Sequence, residues 1–335
     1  MKYGEILTDT LTLLWKRKKL WGIALIGQIF SMLLMGLYMG SIFGVQMRIF
    51  PRLMNGGGTP EEMHAALLSW MPKIVFLAIL FFLFLIASYL FALIGRGGSI
   101  SEAGVAWEGE AVRMRRGLRA GVRKAPALFV IDLLWGLPSL LMAGLMLFSL
   151  GASMSHFFSI MQNGSAIDDE AFFKMFGSMM GGMMLVICLG WLYHIFRSIF
   201  SPLMYQSAVI GRKSLRAAIA EGWRLAASHI GPMVIFWLLT LAISLAVSLV
   251  MQMLMTPLSM GMMGPWMKMM GEQAPAAPSS TSWLLIVLAA AGSGLVMWLS
   301  MSLLQAFTLT LYARVYRELL SEKAKTSAPD DSLLS

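Results

Sequence analysis

Gly231-Pro-Met-Val-Ile-Phe-Trp-Leu-Leu-Thr-Leu-Ala-Ile-Ser-Leu-Ala-Val-Ser-Leu-Val-Met-Gln-Met-Leu-Met-Thr256 is the stretch on which the reading turns. It lies inside a run without Asp, Glu, Lys or Arg at 225–267, and three further long runs occupy 20–47, 133–167 and 273–313. A helix crosses a hydrocarbon layer of ~30 Å with about 20 apolar residues, so each run is long enough. Of the 335 residues, 58% are hydrophobic and 13% charged, about half the charged share of a soluble domain. That balance excludes a soluble enzyme and a disordered chain. The one cysteine, Cys188, excludes an intramolecular disulfide.

Working outward, the uncharged stretches divide into six expected spans: 20–46, 74–95, 127–150, 178–204, 231–256 and 282–308. Inside lipid a helix satisfies its own backbone, and no period-two alternation suggests a barrel. Residues 1–19 carry Glu5, Asp9 and the run Lys16, Arg17, Lys18, Lys19 before a 28-residue apolar stretch. That stretch is too long for a signal core, so the first span is expected to be retained. Twenty of the 26 basic residues fall in the N-terminal segment, 96–126, 205–230 and the C-terminal tail, against five in the alternate loops. Basic loops stay cytoplasmic on insertion, which predicts both termini inside a bacterial inner membrane. Residues 1–325 then form one membrane domain, with a disordered tail at 326–335. The outer loops, rich in Gly, Pro, Ser and Met (Gln273-Ala-Pro-Ala-Ala-Pro-Ser-Ser-Thr281 among them), read as flexible.

A basic turn followed by a span recurs: Leu14–Ile26, Arg119–Ile131 and Arg224–Phe236 align, with Lys19, Lys124 and His229 each 105 residues apart. The pattern predicts a threefold internal repeat, about 1–95, 96–204 and 205–320. Each copy opens on an amphipathic helix. Tyr3, Leu7, Leu11 and Leu14 share one face of the first; Trp107, Ala111, Met114, Leu118 and Val122 of the second; Leu215, Ile219, Trp223, Ala226 and Ile230 of the third. Such helices suit the cytoplasmic leaflet, where anionic headgroups attract each Lys or Arg by about 1 kcal/mol. The expected headgroup contacts are Lys16, Arg17, Lys18, Lys19, Arg113, Arg115, Arg116, Arg119, Arg123, Arg212, Lys213 and Arg216. Packing of these helices onto the bundle is the competing reading.

No catalytic constellation assembles. There is no phosphate-binding Gly-Lys-Ser/Thr loop, no His-Glu-x-x-His and no Cys-x-x-Cys, and Gly95-Arg-Gly-Gly98 is not a dinucleotide fingerprint. His64, His156, His194 and His229 lack ligand spacing, and Asp168, Asp169 and Glu170 read as a solvated cluster. Neither a cofactor nor a resident metal is expected. The methionines crowding 251–270 (Met251, Met253, Met255, Met260, Met262, Met263, Met267, Met269, Met270) suit Cu(I) as soft donors, although Met fills apolar space throughout this chain. Charge inside a membrane is costly and marks candidate sites. Here Asp132 and Arg197 lie at comparable depth on adjacent spans, which predicts an intramembrane ion pair, with His194 close to Arg197. Gly36, Gly40 and Gly44 form a small-residue ridge suited to close helix packing. The basic residues sit where topology demands, so nucleic acid is not an expected partner. Membrane lipids are, with other membrane proteins second.

The stretch Ser214-Leu-Arg-Ala-Ala-Ile-Ala-Glu-Gly-Trp-Arg-Leu-Ala-Ala-Ser-His-Ile-Gly-Pro-Met-Val-Ile-Phe-Trp-Leu238 resembles a segment of bacterial six-span membrane proteins of unknown role. These include the membrane domain fused to some glycerophosphodiester phosphodiesterases and the YciC-like proteins. Tyr3-Gly-Glu-Ile-Leu-Thr-Asp-Thr-Leu-Thr-Leu-Leu-Trp-Lys-Arg-Lys-Lys-Leu-Trp-Gly22 is similar in style. The resemblance implies a six-helix membrane domain with an envelope or lipid association, and no phosphodiesterase domain is present to carry that activity. The expected function is a non-enzymatic membrane scaffold, regulator or envelope-homeostasis factor. The alternative is a transporter or permease subunit working at Asp132, His194 and Arg197.

Overall fold

A computed structural model describes residues 2–34, 36, 60–162, 169–271 and 280–327. Among the described residues the fold is all-α, with no strand. The helices are α1 (Tyr3–Lys16), α2 (Lys19–Leu34), α3 (Pro60–Trp107), α4 (Met114–Gln162), α5 (Asp169–Val209), α6 (Leu215–Ser228), α7 (Ile230–Gly271) and α8 (Ser280–Ser327).

Five of these contain apolar segments long enough to cross a membrane: Val75–Trp107, Met114–Phe148, Met180–Val209, Ile230–Pro257 and Ala291–Glu322. Their surfaces require lipid. Leu141 is 68% exposed, Leu147 70% and Phe148 77%, an apolar surface that water does not tolerate in contiguous patches of this size. By helix hydropathy the chain is a multi-pass membrane protein. The expected first span at 20–46 enters as α2, and its remainder lies outside the described residues.

The helices outrun the expected spans, and this corrects the outer loops. α4 continues to Gln162 and α5 starts at Asp169, leaving 163–168 between them; α7 runs to Gly271. Met and Gly tolerate helix once its backbone bonds are protected, so composition alone mistook these turns for loop. Residues 273–279 of the quoted loop lie outside the described residues. α8 likewise reaches Ser327, past the expected start of the tail, and 328–335 are not described.

Two compact units are present, one from 1–125 with 238–335, the other from 126–237. The first boundary falls inside α4 at Pro126, a residue that removes one ladder hydrogen bond and bends the helix. In the first unit the core gathers Ile6 and Leu14 of α1, Leu20 and Ile23 of α2, Leu93 and Ile100 of α3, and Leu311, Tyr316 and Leu319 of α8. Glycine sets the closest helix approaches there. A Cβ on Gly27 would lie 2.7 Å from the Cα of Gly95, and one on Gly121 would lie 2.1 Å from the carbonyl oxygen of Ile94. Of the expected ridge, a Cβ on Gly36 meets nothing within 4 Å, and Gly40 and Gly44 lie outside the described residues. In the second unit, Leu128 and Ile131 of α4, Leu203 and Met204 of α5, and Ala218, Leu225 and Ala226 of α6 are buried.

The expected amphipathic helix over 107–122 does not form as one piece. α3 continues to Trp107, Gly109 turns the chain at φ +82°, and α4 begins at Met114. Trp107 and Ala111 therefore share no helix with Leu118. Trp107 instead donates its indole N–H to the carbonyl of Thr310 at 3.2 Å, beneath the guanidinium of Arg314.

Candidate functional site

The second unit holds the most developed site, and it grows from the turn between α5 and α6. At the end of α5 the amides of Ile210 and Gly211 both donate to the carbonyl of Gln206, and Arg212 takes φ +49° to reverse the chain. α6 then runs back along α5. Its packed stripe is Ala218, Glu221, Gly222, Leu225 and Ala226, and it comes closest at Gly222, where a Cβ would stand 2.6 Å from the Cα and N of Met204. Of the expected apolar face only Ala226 is buried. Leu215 and Ile219 are half-buried and Trp223 is 44% exposed; backbone-to-backbone contact favours small side chains, so the bulky stripe is left beside the packed one.

Glu221 lies within the packed stripe, 5% exposed. It accepts hydrogen bonds from the Ser207 hydroxyl and the Lys213 ammonium. A buried carboxylate survives only with such partners, so Lys213, expected at lipid headgroups, sits on a protein carboxylate.

The bulky stripe lines a groove of about 620 Å³. From α6 come Arg216, Ile219, Ala220 and Trp223; from α4, Leu134, Trp135 and Pro138; from α5, Tyr193, Phe196 and Met204. Trp223 lies 4.6 Å from the Phe200 ring at 31° and meets Phe196 edge-on at 5.8 Å. Tyr193 donates its hydroxyl to the carbonyl of Trp135, whose indole N–H points to the sulfur of Met204 at 3.4 Å. Arg216 is exposed and makes no hydrogen bond or ion pair among the described residues, and the Trp223 indole N–H likewise has no acceptor there.

One turn before Trp135, Asp132 is buried and accepts a hydrogen bond from Tyr205. Arg197 approaches its carboxylate at 3.6 Å with a side chain 31% exposed. The structure thus brings Asp132 and Arg197 together, while His194 is exposed. Tyr205 and Arg197 both come from α5, so the cluster ties α4 to α5 and sets a cation against the buried carboxylate inside the span.

In the first unit, α1 presents a smaller hollow of about 370 Å³ beside Leu11, Thr12, Trp15 and Lys16. Its packed stripe is Ile6, Thr10 and Leu14, against α8; of the expected apolar face only Leu14 is buried, while Tyr3 and Leu7 are half-buried and Leu11 is exposed. Thr10 fits because its hydroxyl donates back to the carbonyl of Ile6 at 2.7 Å. Trp15 is 68% exposed, with Lys18 at 5.6 Å over its ring and Trp21 edge-on at 5.9 Å. Arg17 reaches the carbonyl of Gly109 at 3.4 Å.

The basic residues after α3 divide into two kinds. Arg116 grips Glu102, which is 0% exposed, through Nε at 2.6 Å and Nη2 at 3.0 Å, and the amide of Arg113 donates to the same carboxylate at 2.8 Å. The Arg113, Arg115, Arg119 and Arg123 side chains are exposed, as are Lys16, Lys18, Lys19 and Arg212. Charge counting passed over Glu102 and Glu221 because both sit in basic loops where a lone carboxylate looks solvated. It also passed over uncharged pairs inside the spans: Gln28 donates to Gln305 at 2.6 Å, and Ser31 meets Ser88 at 2.7 Å. Amides and hydroxyls do not interrupt an uncharged run, so nothing in that count marks them.

No three His, Cys, Asp or Glu side chains converge on a metal-sized space among the described residues. Met251 accepts a hydrogen bond from Ser300 at 3.2 Å, and the side chains from 258 to 271 lie outside the description. No protein family, curated protein or solved structure matches the chain.

Proposed function

We propose that the chain is a six-span bacterial inner-membrane protein, with both termini cytoplasmic, that acts without catalysis as a lipid-associated scaffold or regulator. The observation that carries this reading is shared by α1 and α6. Each packs one narrow stripe on its own unit and leaves a tryptophan-bearing stripe outside it with exposed cations, among them Lys16 and Arg216, that make no hydrogen bond or ion pair among the described residues. Trp beside Lys or Arg at the end of a span is the chemistry of a membrane interface. The threefold repeat belongs to the same proposal: α1 and α6 are both 14 residues long and both stop just short of an apolar helix. Kinship with the six-span proteins of unknown role rests on these two segments. The transporter reading has less behind it, since Asp132 already engages Tyr205 and Arg197.

The test uses the full chain in nanodiscs, comparing phosphatidylglycerol with phosphatidylcholine. Replacing Lys16, Lys18, Lys19, Arg113, Arg115, Arg119 and Arg123 together by Gln should cut the enrichment of phosphatidylglycerol around the protein, at about 1 kcal/mol per cation. Arg116 is left in place because it holds Glu102. Unchanged enrichment overturns the lipid reading. Topology is tested separately on a Cys188→Ser background: Ser335→Cys should resist an impermeant thiol reagent in intact cells, and labelling would reverse the assignment.

A further inference from the structure

We propose that the groove beside α6 is a discrete site for one anionic glycerophospholipid, its phosphate on Arg216 and one acyl chain against Phe196 and Leu134. The inference rests on the lipid-associated reading above and deepens it from a surface to a single site. Its volume of about 620 Å³ falls within the range of ligand pockets, roughly 300–1,000 Å³.

The walls say which end of a ligand goes where. On one side they come from segments apolar enough to lie in the membrane, Met114–Phe148 and Met180–Val209, so a chain seated there remains in hydrocarbon. On the other side stands α6 with Arg216, the one ionisable side chain of the lining besides the Tyr193 phenol. The remaining polar groups are already occupied: Tyr193 donates to the Trp135 carbonyl, and the Trp135 indole faces Met204. Two donors are left, the Arg216 guanidinium and the Trp223 indole N–H, without partners among the described residues.

A guanidinium matches phosphate, and an indole N–H matches an ester carbonyl or a second phosphate oxygen. Charge agrees. Glu221 neutralises Lys213, so the cationic surplus at this end of α6 is Arg212 and Arg216. A zwitterionic lipid would bring its own ammonium into that surplus; an anionic one does not.

The experiment is native mass spectrometry of the full chain, released from detergent with phosphatidylglycerol or with phosphatidylcholine of identical acyl chains. Wild-type protein should retain one phosphatidylglycerol at activation energies that strip the rest, with about tenfold preference over phosphatidylcholine, the size expected of one charge-assisted contact. Arg216→Gln should erase that preference while leaving thermal stability unchanged, since the side chain is exposed. Trp223→Phe should lower retention of both lipids a few-fold by removing the N–H but not the ring. Ala220→Trp fills the groove and should abolish the retained lipid. Retention of one phosphatidylglycerol with wild-type preference in Arg216→Gln, or in a folded Ala220→Trp, would overturn the site. The seven-cation variant described above separates the two claims. If it keeps its lipid enrichment while Arg216→Gln loses the retained lipid, the broad surface reading fails and the site stands. If the reverse holds, the surface stands and the site fails.

Discussion

α1 and α6 have the same length and comparable apolar faces, yet they are held down by different means. α6 lies so close to α5 that only glycine fits at 222, and it buries a carboxylate held by Ser207 and Lys213. α1 meets α8 through Ile6, Thr10 and Leu14, and a Cβ added at its one glycine, Gly4, touches nothing within 4 Å. The exposed tryptophans differ in the same sense: Trp223 lies against Phe200 and meets Phe196 edge-on, whereas Trp15 stands out at 68% exposure. Hydrophobic periodicity finds that a helix has an apolar side. It does not say which of two adjacent stripes meets protein: α1 packs Ile6 and Leu14, while in α6 the backbone approach at Gly222 admits only a small residue beside the buried Leu225.

The largest expected effect breaks this contrast at its closest point. Gly222→Val places side-chain atoms on the Met204 backbone, which has nowhere to retreat. Overpacking of this kind costs about 3 kcal/mol, read as a fall in Tm and as new protease cleavage near α6. Gly4→Ala in the first turn of α1, where an added Cβ meets nothing within 4 Å, should change Tm little or raise it, since Ala is the better helix former, by less than the ~1 kcal/mol of a helix interior. If both substitutions behave alike, the two helices are docked by the same means and the contrast is void.

A smaller effect is expected at the buried polar groups. Glu221→Ala strands the Ser207 hydroxyl, while Lys213, at 42% exposure, turns to water. One unsatisfied buried donor costs about 1–3 kcal/mol, and the lower half of that range is expected because the lysine escapes. Thr10→Val should stay within about 0.5 kcal/mol, for the hydroxyl it removes bonds only to its own helix at Ile6. Thermal unfolding of the two variants in one detergent compares them directly. A Thr10→Val loss as large as that of Glu221→Ala would mean that α1 also depends on a buried polar anchor.

The membrane-crossing segments were legible because lipid imposes a length, and uncharged runs record it. Asp132 and Arg197 were legible for the same reason, as rare charges within such runs. What the composition concealed was everything decided by approach distance. Gly27 against Gly95, and Gly121 against Ile94, carry close crossings that no regular spacing of glycines marks. Arg116 and Lys213 read as headgroup ligands since nothing local distinguishes them from Arg115 or Arg212. Only the fold shows that Glu102 and Glu221 are buried beside them. The division at Leu238 left no compositional trace, since it falls inside an apolar helix, whereas the one at Pro126 coincides with a proline at the edge of a basic segment.

The finest distinction lies between the two tryptophans. Trp223→Ala removes ring contacts with Phe196 and Phe200, each aromatic pair contributing about 0.5–1.5 kcal/mol, but the ring is partly exposed, so a stability loss near 1 kcal/mol is expected. Trp15→Ala removes one edge contact to Trp21 and the ring under Lys18. Both lie at the surface, and a loss below about 0.5 kcal/mol follows. The lipid readout should run the other way in part: Trp15 stands out beside the smaller hollow of α1, so in the wild-type protein quenching of its fluorescence by brominated phosphatidylglycerol should be shallow and spread over several lipids. Trp223 should instead be quenched at low lipid ratio, to saturation, in a Trp15→Phe background corrected for the remaining tryptophans. Equal quenching curves for the two would place both rings in the same bulk interface and remove the reason for treating α6 as different.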